Sequence, residues 1–133
     1  MATRRYRLYG SFSATANNID SMVFQRKARV KQIIFGVTFD SITDNGALRV
    51  NVSRNAVADF QAGAGGTALP TNAIAQFIQY GNFVTSGLSQ PNGNLIVDCN
   101  DDFQIGEYLF LNAIVGGTVT ASVDIMVVTE EAA

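Results

Sequence analysis

The chain has 133 residues, 47% of them hydrophobic, which suffices for one domain with a single core but not for two domains. It has no histidine and one cysteine, so Ser-His-Asp and Cys-His triads, the usual zinc sites and an intrachain disulfide are excluded. The N-terminal residues lack the apolar stretch of a signal peptide, and no later run has the length of a membrane span. We therefore expect a soluble protein that is not exported by that route.

The charges are divided unevenly along the chain. Nine basic and three acidic residues lie in the first 54 positions, whereas eight acidic residues and no basic ones follow. Such a division is typical of a basic arm for nucleic acid, or of complementary patches that join identical subunits. It disappears on folding, however, if strands from the two parts interleave. The sequence leaves these alternatives open.

The first residues form a strand-like unit with polar and apolar side chains on both sides. One side carries Arg4, Tyr6, Leu8 and Phe12, and the other carries Arg5, Arg7 and Tyr9. Charges of this kind discourage unwanted pairing at the edge of a sheet. We predict an N-terminal arm or edge strand at 1–15 and a single β-sandwich domain at 16–133.

The residues from 22 to 54 predict two strands joined by a tight turn. The first strand covers 22–40 and passes from a basic end into the core. Asn45-Gly46 is a strong hairpin signal, because both residues readily adopt the positive φ of a two-residue turn. The alternation around Leu48, Val50 and Val52 then indicates a half-buried strand, with Arg49, Asn51 and Ser53 pointing outward.

The middle of the chain predicts one short helix over 70–81. Pro70 suits its start, Ile74, Phe77 and Ile78 have helical spacing, and Gly81 suits its end. The glycines before it, Gly63, Gly65 and Gly66, lack the Lys-Ser/Thr of a phosphate-binding loop and predict only a mobile loop.

The stretch 106–130 predicts a hairpin around which the core forms. Gly116-Gly117 suits its two-residue turn, which would pair Phe110 with Val123. The first strand of this hairpin is apolar on both sides, and such a strand is normally covered twice, by its own core and by another layer or subunit. The side chains of the second apolar side are Leu109, Leu111, Ala113 and Val115.

These elements predict an all-β fold: a two-sheet antiparallel sandwich with about seven to nine strands and one short helix. A jelly roll is favoured over an immunoglobulin-like sandwich, because the Cys and Trp signature of the latter is missing.

The acidic residues Asp98, Asp101, Asp102 and Glu107 lie close together in sequence. A carboxylate pair performs acid–base chemistry only in a pocket that raises one pKa, and nothing in the sequence indicates such a pocket. The same oxygens could bind calcium, but the stretch lacks the glycine and length of an EF-hand loop. We favour a solvated turn, and a small buried residue for Cys99.

Two binding roles are further alternatives. Arg4, Arg5 and Arg7 lie among aromatic residues, as in single-strand nucleic-acid sites, but three arginines are few. A carbohydrate- or receptor-binding sandwich would use exposed tyrosines, although the chain has no tryptophan for stacking on sugar rings. The candidate tyrosines are Tyr6, Tyr9, Tyr80 and Tyr108.

The C-terminal part resembles a family. The Pro-Asn-Gly turn at 91–93, the apolar strand at 94–98, the acidic turn, the run Gly-Glu-Tyr-Leu-Phe-Leu from 106, and the Gly-Gly turn before 118–128 are similar to the C-terminal half of small bacteriophage virion proteins. The resemblance implies a single β-sandwich or jelly-roll domain that decorates or cements a capsid or forms a spike, usually as a symmetric oligomer, often a trimer.

We therefore expect a non-enzymatic structural protein of a virion, made in the host cytoplasm. Its partners would be other copies of itself and other capsid proteins, with no cofactor, metal, membrane or nucleic acid. The predicted subunit contact uses Leu109, Leu111, Ala113 and Val115, with Arg4, Arg5 and Arg7 reaching an acidic surface on a neighbour.

Overall fold

The computed structural model describes residues 2–14, 16–54, 73–80 and 92–131, and their regular structure is entirely β. The strands are β1 (Ala2–Phe12), β2 (Ala16–Val23), β3 (Ala28–Arg54), β4 (Ala73–Tyr80), β5 (Asn92–Phe103) and β6 (Tyr108–Glu131). Every pairing between them is antiparallel. The all-β antiparallel prediction is confirmed. No helix in this part of the chain is long and apolar enough to cross a membrane.

Two long strands run through the whole fold. β3 and β6 pair with each other from Ala28↔Glu131 to Arg54↔Leu109. At one end of this ribbon β1 and β5 add to its sides, giving a first sheet of order β1-β6-β3-β5. At the other end β2 and β4 add, giving a second sheet of order β2-β6-β3-β4. This is the strand order of a jelly roll, in which each long strand contributes to both sheets.

The two sheets pack face to face over one hydrophobic core. The rings of Phe35 in the first sheet and Phe77 in the second lie 6.3 Å apart. Glycine is required at Gly93, because a Cβ there would overlap the Phe77 ring. At one end, Phe24 stacks on Phe103 with ring centroids 4.5 Å apart, and Tyr6 meets Phe24 edge-on. These contacts make the structure a β-sandwich.

Both glycine-containing turns predicted from the sequence are instead bends within the long strands. The register of β3 against β6 shifts between Thr43 and Ala47, the stretch that holds Asn45-Gly46. Ala47 pairs with Gly116, and Gly117 has a φ of 68°, so the two bends lie side by side where the ribbon passes from one sheet to the other. Positive φ is readily available to glycine, and here it bends a strand without ending it.

The hairpin predicted at Gly116-Gly117 is therefore wrong, and so is its pairing of Phe110 with Val123. Along β6 the buried apolar side chains are odd-numbered on both sides of the glycines, from Leu109 and Leu111 to Val123. One continuous strand keeps this alternation, whereas the predicted hairpin would place even-numbered residues of one arm beside odd-numbered residues of the other. A change of pairing by one residue exchanges the two faces.

The predicted helix at 70–81 is also wrong where the structure describes it. Residues 73–80 form β4, which pairs with β3 so that Phe77 lies beside Val50 and Ala75 beside Val52. Ala75 and Phe77 are both buried, which is the two-residue period of a strand. Helical spacing of three apolar residues did not outweigh an available partner strand. The predicted glycine loop at 63–66 lies outside the described residues.

Candidate assembly surface

The structure places most of the predicted contact residues of β6 inside the core. Leu109, Leu111 and Ala113 are 0% exposed, and Val115 is partly buried. All four side chains belong to or pack against the core of the same chain. The other side of this stretch holds Phe110 and Tyr108, whose rings stack 5.6 Å apart. A subunit contact through the four predicted residues stays a prediction. The exposed apolar side chains lie on other parts of the sandwich.

The arginines of β1 divide between the two sides of the first sheet. β1 is an edge strand paired with β6 along its whole length, so these residues belong to the sandwich. Arg4 lies 3.6 Å from the buried carboxylate of Glu131. Arg5 and Arg7 are exposed on the outer face, where Arg7 binds Asp124 through two hydrogen bonds of 2.8 Å.

The uneven distribution of charge along the sequence is largely neutralised by the fold. Five ion pairs each join a basic residue of the first part to an acidic residue of the second. The pairs are Arg4–Glu131, Arg7–Asp124, Arg29–Asp102, Lys31–Glu130 and Arg54–Glu107. Antiparallel pairing of β3 and β1 with β6 and β5 interleaves the two parts, which was one of the alternatives left open by the sequence.

Two of these pairs shift the pKa of a carboxyl group. The hydrogen bonds from Arg7 hold the pKa of Asp124 below its ordinary value, and those from Arg29 do the same to Asp102. Both pairs lie at the surface, so the stabilisation they provide is small and weakened by salt.

The acidic stretch does not form a metal site in the described part of the chain. Asp98 and Asp102 lie in β5, not in a turn, and the turn itself begins at Gln104. Asp102 is held by Arg29, and Glu107 by Arg54. Within the described ranges, no group of three or more His, Cys, Asp or Glu side chains could hold a metal ion.

The thiol of Cys99 is half-buried and unreactive. Burial, with help from the neighbouring Asp101 and Asp98, raises its pKa to about 11. The thiol therefore stays protonated at neutral pH, and the thiolate is the nucleophilic form.

The candidate tyrosines for a carbohydrate site are not brought together. Tyr6 points inward and donates a 2.5 Å hydrogen bond to Glu131. Tyr9 lies on the outer face of the first sheet, with the Arg7 guanidinium 4.8 Å from its ring centre. Tyr108 lies on the outer side of the second sheet, and the Tyr80 side chain is outside the described part.

The outer side of the first sheet presents an exposed apolar surface, which we call the apolar face. Its central row runs across all four strands through register partners: Ile96 beside Ile34, Ile34 beside Met126, and Met126 beside Arg7. Ile96 is 61% exposed and Met126 42% exposed. Apolar side chains that adjoin across a sheet and face water typically mark a contact with another molecule. The apolar face comprises Tyr9, Ile34, Ile96, Met126 and Val128.

An open depression lies at one side of the apolar face. It has a volume of about 300 Å³ and is formed by neighbouring residues of β1 and β6. Its outward-facing lining comes from Arg5, Arg7, Asp124 and Met126. The Arg7–Asp124 pair fixes one wall, because its two parallel hydrogen bonds restrict the guanidinium.

The outer side of the second sheet is different, because polar side chains there are sealed from solvent. Asn51 and Ser53 in β3 and Asn112 in β6 alternate with core residues, as the sequence predicted, yet all three are 0% exposed. Asn112 donates a 2.9 Å hydrogen bond to Ser53. Neither polar atom of the Asn51 amide has a hydrogen-bond partner in the described structure.

Comparison with known proteins finds similarity of fold only. No protein-family model and no curated protein matches the chain. Among solved structures, a protein of Bacillus endospore appendages, described as disulfide-linked pili, matches at a TM-score of 0.40 and 9% identity, over 98% of this chain and 89% of that one. A protein of infectious bursal disease virus strain Gx matches at 0.42 and 10%, over 98% of this chain and 34% of that one.

A Mud Crab Dicistrovirus protein matches at a TM-score of 0.36 and 13% identity, over 98% of this chain and 79% of that one. The chain spans about a third of the length of the infectious bursal disease virus protein that it matches. At these values we base no functional assignment on the similarity.

The sequence held a signal for the apolar face that sequence analysis missed. Leu95, Ile96 and Val97 are three consecutive apolar residues in β5, so apolar side chains necessarily fall on both sides of that strand. Residues 109–115 are also apolar on both sides of their strand, but there the structure buries the side that holds Leu109, Leu111 and Ala113. The register against β3 and β6 shows which apolar residues of these strands share an exposed side, and that register is not visible in the sequence.

Proposed function

We propose that this chain is a non-enzymatic structural protein of a virus particle, and specifically a bacteriophage protein that decorates or cements a capsid or forms a spike. The observation that carries the proposal is the apolar face, whose Ile96 and Met126 are exposed to solvent on the outer side of the first sheet. The described residues also hold no metal cluster and no reactive thiol. A surface suited to contact, on a compact sandwich, supports a role in assembly.

The proposal is tested by the mass of the purified chain in solution. Multi-angle light scattering and sedimentation over a wide concentration range should give an oligomer or a larger particle, because the apolar face is removed from water only by association. Self-association should persist in high salt, since apolar burial is not screened. A monomer at every concentration and salt would contradict self-assembly, and binding to a glycan array would instead favour a carbohydrate-binding module.

A further inference from the structure

The two edge strands of the apolar face carry opposite charges that the chain itself leaves unpaired. Arg5 in β1 and Asp98 in β5 lie in one row across the sheet, separated by Val128 and Gln32. Asp98 accepts a 3.1 Å hydrogen bond from the Gln32 amide. Neither Arg5 nor Asp98 forms an ion pair within the described residues. One edge is therefore basic and the other acidic.

The two edges also differ in shape. Ile96 protrudes from β5 with 61% of its surface exposed. The depression of about 300 Å³ lies at the other edge, beside Arg7 and Met126. Arg7 and Met126 belong to the same row as Ile96. The face thus has a projecting apolar side chain on one side and a recess at the same height on the other.

These features are complementary under a two-fold rotation. An axis parallel to the strands, passing between β6 and β3, sets β1 of one copy against β5 of the other at the same height. In such a contact each residue pair occurs twice, since the same surface is used by both copies. We infer that two copies of this chain pack face to face through the apolar face, with Ile96 in the partner's depression and Arg5 against the partner's Asp98.

The apolar face occupies three register rows on four strands. With strands about 4.8 Å apart and rows about 6.8 Å apart, it covers roughly 390 Å² in projection. A standard interface buries about 800 Å² of accessible surface per partner, so we expect a small contact from which the copies dissociate readily. Met126 lies opposite the partner's Ile34 at the centre, where contacts contribute most. Two sheets stacked in this way keep nearly aligned strands, as within a sandwich.

The inference rests on the proposed function, because it names the surface through which that assembly would begin. It requires an even number of copies in the assembly. It also requires that charges at the two edges attract when the copies are related by the two-fold axis.

The first experiment uses a matched pair of exposed isoleucines. Ile96→Asp places a charge in the contact, whereas Ile105→Asp places the same charge in the turn after β5, where Ile105 is 70% exposed. Sedimentation equilibrium should show that Ile96→Asp raises the self-association Kd about tenfold or more, while Ile105→Asp leaves it unchanged. Circular dichroism melts should show both variants folded. Equal effects of the two substitutions would overturn the inference.

The second experiment tests the arrangement of the two copies. Arg5→Asp and Asp98→Arg each place like charges opposite one another and should weaken association. Combining both substitutions restores two attractive pairs per contact, so the double variant should recover most of the wild-type Kd. Additive weakening in the double variant would overturn the two-fold arrangement.

The outcomes separate the inference from the proposed function. If the oligomer keeps its mass in the Ile96→Asp, Arg5→Asp and Asp98→Arg variants, the inference is overturned and the assembly role stays intact. A monomeric wild-type chain overturns the inference and, within the proposed function, leaves only attachment to another virion protein. Association with an odd number of copies, such as a trimer alone, also overturns the face-to-face pair while supporting a structural role.

Discussion

The two outer faces of this sandwich are built on the same central strands, but they differ in which side chains they expose and which they bury. The outer side of the first sheet exposes Ile96 and Met126, whereas the outer side of the second sheet buries Asn51 and Asn112 completely. Burial of polar groups demands hydrogen bonds, and exposure of adjacent apolar groups demands a partner. The comparison shows that position in the fold, more than residue type, decides what each side chain contacts.

The largest expected effect is the loss of stability when a charge is placed on the core side of β6, compared with the same charge on the apolar face. Leu111→Asp introduces a charge at a position with no exposure and should destabilise the fold by at least about 4 kcal/mol, or prevent folding. Ile96→Asp introduces the same charge at the surface and should alter stability by less than about 0.5 kcal/mol. Urea denaturation checks both. A folded, monomeric Leu111→Asp protein would show that Leu111 serves a subunit contact.

The second comparison uses two buried asparagines that are register partners. Asn112→Leu removes the hydrogen bond to Ser53 and should cost about 1–3 kcal/mol. Asn51→Leu removes an amide without partners in the described structure, so stability should stay unchanged or rise by about 1 kcal/mol. Denaturation midpoints measure the difference. Equal losses in the two variants would contradict the structural distinction between them.

A third effect distinguishes the two sides of β1. Tyr6→Phe removes the hydroxyl that donates to buried Glu131 and should cost about 1–3 kcal/mol. Burial and this hydrogen bond raise the pKa of Tyr6 above 10.0, so its contribution is intact below that pH and is lost as pH rises further. Tyr6→Phe should therefore lose less stability in alkali than wild type. Arg7→Gln on the outer side should change stability much less.

The smallest effect concerns the exposed pair beside the depression. Arg7 lowers the pKa of Asp124 below its ordinary 3.8, so the pair stabilises the fold above that pH and stops doing so as the carboxyl is protonated below it. Asp124→Asn should remove part of the loss of melting temperature in acid, and high salt should reduce the difference. Identical acid profiles for the two proteins would contradict this.

Several parts of the fold were accessible from sequence because they depend on local alternation. The alternation at Leu48, Val50 and Val52 correctly indicated a strand with these side chains in the core, and all three are 0% exposed. The prediction that this strand is only half-buried is wrong, because Asn51 and Ser53 on its other side are 0% exposed too. The all-β antiparallel class followed from composition and from many such runs. These inferences need only the two-residue period of a strand.

The errors arose where distant pairing overrode a local signal. Gly116-Gly117 has the composition of a tight turn, but its partner is Ala47 in β3 and not the neighbouring strand segment. The helical spacing around Phe77 was overridden in the same way by pairing with Val50. The predicted subunit contact rested on the same hairpin; it stays a prediction, and the structure places Leu111 in the core. Register across about a hundred residues of chain is not encoded in local spacing.

The long β3–β6 ribbon also sets how this protein can fold. β6 is the central partner of β1, β2 and β3, and it follows all of them in the chain. Only the β3–β4 and β3–β5 pairings can form without β6, and contacts over the sequence separations of the β1–β6 and β3–β6 pairings make folding slow, in the range of milliseconds to seconds. During synthesis, β1 and β2 remain without their partner strand until β6 emerges, which leaves their edges exposed to aggregation in the meantime.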